Sequence, residues 1–219
     1  TACGACVEVC LHQAVERIGT TRSVPEVLAH VLRDKPFFER SGGGVTITGG
    51  EPTLQPNFLL GLLDALRNAD VHSAVETCGH FPETLVDALA ERADLLLFDL
   101  KHIDPGHHKE GTGAGNERIL SNFVTLTERM GIERVLPRVP IVPGFNTDTA
   151  AVAGLAAFLV EHGYRGPVDL MPHHGWAKAK YERIDRAAAF RDPGRPDEAT
   201  LVEIERVFAE AGLEPQRQG

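Results

Sequence analysis

Five short strand-like runs, each followed by an amphipathic helical stretch, constrain this chain more than any other feature. The runs are residues 44–48 ("GVTIT"), 72–77 ("HSAVET"), 94–101 ("DLLLFDLK"), 134–142 ("RVLPRVPIV") and 168–172 ("VDLMP"). Between them the helix signals are local. Asn57 can cap "FLLGLLDALRNA", and Pro82 can open "PETLVDALAER". Asn116 can cap "ERILSNFVTLTERM" ahead of Gly131, and Thr147 can cap "DTAAVAGLAAFLVEH" ahead of Gly163. Ser23 with Glu26 makes a capping-box pattern for a helix before the first strand, and a last helix is expected over residues 197–211, ending at Gly212. Strands that alternate with helices through short connections form parallel β/α units. Five of them in 219 residues, with no low-complexity linker, predict an α/β fold: a partial, TIM-like (β/α) barrel.

In such a barrel the chemistry gathers where strands end, so the residues at each strand exit come next. They are Thr48-Gly49-Gly50-Glu51, Glu76-Thr77, Asp99 with Lys101, Arg138 with Pro143-Gly144 beyond, and His173-His174. Any one of these, taken alone, reads more readily as a solvated loop residue; together they point to a site at one rim. Gly49 and Gly50 lack Cβ, so a ligand can approach their backbone closely. Glu51 places a carboxylate beside that opening, suited to an ammonium group, and Pro52 holds Glu51 in extended geometry.

Charge and cysteine usage remove other classes. Lys+Arg 22 against Asp+Glu 31 leaves the chain at −9 with no basic run that would track a nucleic-acid backbone. No apolar stretch is long enough for a membrane span, and the first residues carry no signal-peptide pattern, so a cytoplasmic protein is expected. Cys3, Cys6 and Cys10 crowd the first ten residues while Cys78 stands alone, which is unlike a disulfide framework spread over a domain. Their x2 then x3 spacing matches the last three ligands of the ferredoxin run C-x2-C-x2-C-x3-C, although Leu11 replaces the usual Pro. A zinc site and three unrelated thiols remain alternatives.

With "SGGGVTITGGEPTLQ", "VETCGH", "LLLFDLKHID", "TGAGNERILSNF", "RVPIVPGFN" and "LMPHHGWAKAKYE", the segment "CGACVEVC" makes the chain resemble the radical S-adenosylmethionine superfamily. Within it, the likeness is to the glycyl-radical enzyme activating enzymes related to pyruvate formate-lyase activating enzyme. The resemblance implies a protein that reductively cleaves S-adenosylmethionine at a 4Fe–4S cluster to generate a glycyl radical on a partner enzyme, with flavodoxin or ferredoxin as electron donor. It implies that Gly49, Gly50 and Glu51 bind the methionine amino group. Asp99, Lys101, Arg138 and His174 resemble the residues that hold the carboxylate, ribose and adenine. Glu76, Thr77 and Asp99 fall at a monovalent-cation position, where Glu76 is one methylene longer than the family's Asp. Residues 1–20 resemble the C-terminal part of a ferredoxin-like insert, with Cys3, Cys6 and Cys10 on an auxiliary 4Fe–4S cluster. Residues 21–219 resemble the barrel. The family's C-x3-C-x2-C loop, which carries the catalytic cluster, has no counterpart in the sequence, so the expectation is a chain truncated at its N-terminus and inactive without that loop. Two other readings stay open: a radical enzyme acting on a small molecule, and an electron-carrier module joined to an inert barrel.

Remaining features have plainer readings. "GTGAGN" mimics a phosphate loop but lacks the preceding strand, so it is expected to be a loop and helix cap. His102, His107 and His108 are expected on a solvated face, and Cys78 as a small strand-end residue. Trp176 either lines the mouth of the site or packs on the barrel end.

Overall fold

The computed structural model describes residues 3–175 and 177–218; Trp176 lies outside them. Six parallel strands form one sheet in sequence order: β1 (Gly44–Ile47), β2 (His72–Thr77), β3 (Leu95–Asp99), β4 (Val135–Ile141), β5 (Pro167–Pro172) and β6 (Glu214–Arg217). Each crossover carries helix, as parallel pairing requires. The helices are α1 (Ala5–Glu8), α2 (Val24–Val31), α3 (Lys35–Ser41), α4 (Pro56–Asn68), α5 (Val86–Arg92), α6 (Pro105–Thr112), α7 (Glu117–Met130), α8 (Thr149–Glu161), α9 (Ala177–Arg183) and α10 (Glu198–Glu210). The sheet stays open between β1 and β6. This is a partial α/β barrel.

Strand alternation sorts side chains onto two faces. Val75, Leu96, Phe98, Val139, Val168 and Leu170 are fully buried towards the helices, where α4, α5, α7, α8 and α10 supply Leu63, Leu89, Phe123, Leu159 and Phe208. Each such side chain contributes about 1.5–3 kcal/mol on burial. A second cluster joins Leu62, Leu66 and Val71 to Val24, Val27 and Leu28 of α2 and steadies the β1 end. The opposite face carries Glu76, Leu97, Asp99, Leu136 and Arg138, all partly exposed; pairing of Glu76 with Leu97 and of Asp99 with Arg138 sets them side by side.

Several local expectations change. The N-cap of α8 is Asp148, which accepts from Ala151 N at 2.9 Å, one residue beyond Thr147. Helix α4 starts at Pro56, with Gln55 at its cap, so Asn57 lies inside the first turn. A short 3-10 turn (Glu83–Leu85) precedes α5 after Pro82. Ser23 and Glu26 form the expected box at α2: Ser23 N and Oγ both donate to Glu26 Oε2 at 2.7 Å. Helix α6 takes in Gly111 and Thr112, the first two residues of "GTGAGN", and β6, of sequence "EPQR", has no apolar pattern.

Candidate active site

Two cavities open at the C-terminal ends of the strands, and between them they touch every strand-exit group except Gly49 and Pro143-Gly144. The smaller, of about 130 Å³, is lined by Thr48, Gly50, Glu51, Glu76, Thr77, Cys78, Asp99 and Lys101. The larger, of about 530 Å³, includes Arg138, Met171, His173, His174 and Arg195. An ion pair divides them: Arg138 Nη1 on β4 meets Glu76 Oε2 on β2 at 2.7 Å, reaching across β3.

Glu51 is the best-held group of the rim. Gly49 takes φ +146°, and a Cβ at Gly49 or Gly50 would meet no atom within 4 Å, so the turn after β1 leaves its backbone open to one side. The chain then turns Glu51 back on the sheet. Its Oε1 accepts from Thr53 N, Thr53 Oγ1 and Thr77 Oγ1 at 3.2, 2.7 and 2.9 Å, and its Oε2 accepts from Cys78 N at 2.8 Å. Burial pushes the Glu51 carboxyl up, but the hydrogen bonds from Cys78, Thr53 and Thr77 outweigh it and hold the group below its usual range. The result is a half-buried carboxylate kept charged at the edge of the cavity. Beside it, burial and Glu51 together push the Cys78 thiol up. Cys78, directly after the end of β2, lines the same cavity.

Asp99 and Lys101 close the floor. Lys101 Nζ donates to Asp99 Oδ2 at 2.9 Å, while Asp99 Oδ1 is buried without a partner. Glu76, Thr77 and Asp99, the expected monovalent-cation residues, line the same small cavity, where Glu76 is paired with Arg138 and Thr77 Oγ1 donates to Glu51. Among the described residues no three His, Cys, Asp or Glu side chains converge on a metal position. Cys3, Cys6 and Cys10 are therefore near one another in sequence without forming a closed ligand set; Cys3 and Cys6 are exposed and Cys10 partly so. Cys10 has a distinctive setting. Its Sγ accepts from Ala14 N at 3.2 Å, and the backbone N–H groups of Ala14 and Val15, with smaller help from His12 and Gln13, pull its pKa down.

Three buried asparagines, unassigned in the sequence reading or assigned otherwise, fix the exit loops. Asn146 Nδ2 donates to Lys101 O and Pro140 O at 2.8 and 2.6 Å, while its Oδ1 accepts from Val142 N at 2.8 Å. Asn122 of α7 donates to Gly79 O and Phe81 O. Asn116 stands at the α7 N-cap position without capping it; its amide donates to His102 O and Ile103 O instead. The signal was available only as Asn amid apolar residues in "SNF" and "GFN". His102 and His108 also depart from expectation. Both are buried, His102 packs on Phe145 and His107, and burial pushes its imidazole down.

Comparison with known proteins agrees with this architecture. The profile of the radical SAM superfamily matches residues 10–155. Over 94% of its length the chain is 38% identical to the isethionate sulfite-lyase activating enzyme of Nitratidesulfovibrio vulgaris, of which it covers 66%. It is 34% identical to the trans-4-hydroxy-L-proline dehydratase activating enzyme of Clostridioides difficile, covering 94% of this chain and 78% of that one. A domain of pyruvate-formate lyase-activating enzyme from Bacteroides vulgatus superposes with a TM-score of 0.66 at 27% identity, covering 81% of this chain and 99% of that domain. The chain spans 66%, 60% and 58% of the length of three isethionate sulfite-lyase activating enzymes that it matches. No helix among the described residues is long and apolar enough to cross a membrane. Profile, relatives and fold agree, and the chain belongs to the radical SAM superfamily.

Proposed function

We propose that this chain forms the barrel of an activating enzyme that uses S-adenosylmethionine to install a glycyl radical on a partner protein. The observation that carries the reading is the charged, half-buried Glu51 beside an open Gly49-Gly50 backbone, in a chain whose similarity to named activating enzymes runs over nearly its whole length. The pocket fits a sulfonium amino acid: Glu51 Oε2 and the unpartnered Asp99 Oδ1 offer acceptors to an ammonium group. Lys101 offers a cation to its carboxylate. Arg138 and His174 border the larger cavity, with room there for ribose and base. In the arrangement seen, a monovalent cation would have to displace Arg138 from Glu76 before Glu76 could ligate it. The superfamily's cofactor pair, S-adenosylmethionine and a 4Fe–4S cluster, supplies hydrogen-abstracting power by one-electron reductive cleavage. The chain's own residues bind, orient and shield.

Within the same reading, residues 1–20 belong to a ferredoxin-like insert and residues 21–219 to the barrel, with Cys3, Cys6 and Cys10 on an auxiliary 4Fe–4S cluster. The backbone amides aimed at Cys10 Sγ support it, because hydrogen bonds to sulfur stabilise cluster thiolates. Flavodoxin or ferredoxin remains the proposed donor, and the cytoplasm the proposed location. The sequence has no C-x3-C-x2-C run, so the catalytic cluster is not assigned to any of its four cysteines. The test uses the natural polypeptide carrying this sequence, reconstituted anaerobically with iron and sulfide and then reduced. Expected are 5′-deoxyadenosine by chromatography and, with a glycyl-radical enzyme added, a glycyl radical by electron paramagnetic resonance. Glu51→Ala should weaken cofactor binding by about 3 kcal/mol, more than a hundredfold. Turnover of a small molecule with no radical on any protein partner would overturn the reading.

A further inference from the structure

Between β5 and α10 the chain makes an excursion over the rim, residues 173–196, whose charge opposes that of the rest of the molecule. It holds six Lys/Arg and three Asp/Glu, a net +3 that leaves −12 on the remainder of a chain totalling −9. Part of that positive charge is neutralised locally: Lys178 lies 4.0 Å from Glu182, and Arg183 lies 3.9 Å from Glu16. Lys180, Arg186, Arg191 and Arg195 are exposed and make no ion pair among the described residues; Arg191 spends its guanidinium on Ala188 O and Phe190 O.

The cavity beneath the excursion gives an independent observation. The lining of the 530 Å³ cavity includes Arg138, His173, His174, Arg195 and Arg217 and contains no carboxylate. Arg138 is engaged by Glu76, and Arg217 by Glu198 and Glu205. Arg195 has no such partner among the described residues. The two ends of the excursion are tied, with His173 Nδ1 donating to Gly194 O at 2.9 Å, so Arg195 is held at the cavity's edge.

Resting on the activating-enzyme reading, we propose that residues 173–196 form the docking surface for an acidic segment of the protein substrate, with Arg195 meeting a carboxylate where that segment passes the cavity mouth. A protein that delivers a backbone glycine to the rim must cross this mouth, whereas an electron donor need not. The acidic remainder of the chain repels the same partner elsewhere, which directs approach to the excursion.

The probes are a fluorescein-labelled Glu-Gly repeat peptide and its Gln-Gly and Lys-Gly counterparts, titrated by fluorescence anisotropy against the natural polypeptide. The Glu-Gly peptide should bind about tenfold or more tightly than the Gln-Gly peptide near 50 mM NaCl and lose that advantage near 500 mM. Lys180→Glu, Arg186→Glu and Arg195→Glu together should abolish the preference, and Arg40→Glu, on α3, should leave it unchanged. Equal binding of acidic and neutral peptides, or a preference untouched by the triple change, overturns the proposal. So does an excess of Glu-Gly peptide that slows cluster reduction by the donor while leaving partner binding intact, since the surface would then serve the donor. Failure of the activating-enzyme reading shows itself separately, as loss of 5′-deoxyadenosine and radical formation with peptide binding unaffected.

Discussion

Removing the Asn146 side chain should loosen the rim more than any change of similar size on the surface. Asn146 is 1% exposed and serves three backbone groups at once: Lys101 O after β3, Pro140 O within β4 and Val142 N just beyond it. Asn146→Ala strands all three. A net hydrogen bond contributes about 1 kcal/mol, and a stranded buried group costs about 1–3 kcal/mol, so a loss of about 3–5 kcal/mol is expected. That is a large share of a total stability of about 5–15 kcal/mol. Urea unfolding followed by circular dichroism measures it, and the melting temperature should fall by about 10 °C. Asn146→Asp separates hydrogen bonding from volume. It keeps the acceptor for Val142 N but turns an oxygen towards two carbonyls, so the fold favours the neutral acid and raises its pKa above the unfolded value near 3.9. Its deficit should be small at acid pH and grow as pH rises through that value. If both variants stay within about 1 kcal/mol of the parent at neutral pH, the rim is not held this way.

The Glu51 carboxyl titrates below its ordinary value of 4.5 in the fold, so it adds stability above that pH and loses it as pH falls through the folded value. Glu51→Gln should therefore be less stable than the parent at neutral pH and converge on it in acid; a constant difference down to about pH 3 would refute the network. Gly79→Ala places a methyl group 2.2 Å from Phe98 Cζ at a residue with φ +75°. It should cost about 2–4 kcal/mol in the same urea assay, and a cost below about 0.5 kcal/mol would show the β2 exit to be more pliant than its packing indicates.

Five of the six strands were legible because their core-facing positions are mostly apolar at the strand period, as with Leu96 and Phe98 or Val135, Val139 and Ile141, and helices intervene at parallel-crossover lengths. β6 was not, because a short edge strand has one hydrogen-bonded neighbour and needs no apolar alternation: Pro215 and Gln216 pair with Val168 and Asp169 through backbone alone. Arg138 lies in the middle of β4 and comes to the rim because β3 ends beside it at Asp99, whereas Glu51 and Asp99 could be found by asking which polar residues follow or end strands. Their partners could not. That Thr77 donates to Glu51, or that Glu76 reaches Arg138 across a strand, depends on register and side-chain reach. The asparagines escaped because the same residue type caps helices, and only packing decides whether Asn116 faces its own helix or the neighbouring loop.

Among the described residues every strand pairs only with its immediate neighbours in the chain, and this has a kinetic meaning. Sheet growth never has to wait for a distant segment, so the loop-closure entropy that slows parallel sheets is met in modest instalments. During synthesis each β/α unit can dock on its predecessor as it emerges. The carboxylate cradle around Glu51 needs nothing beyond Cys78. It can form while β4, which bears Arg138, and β5, which His174 follows, are still to be made.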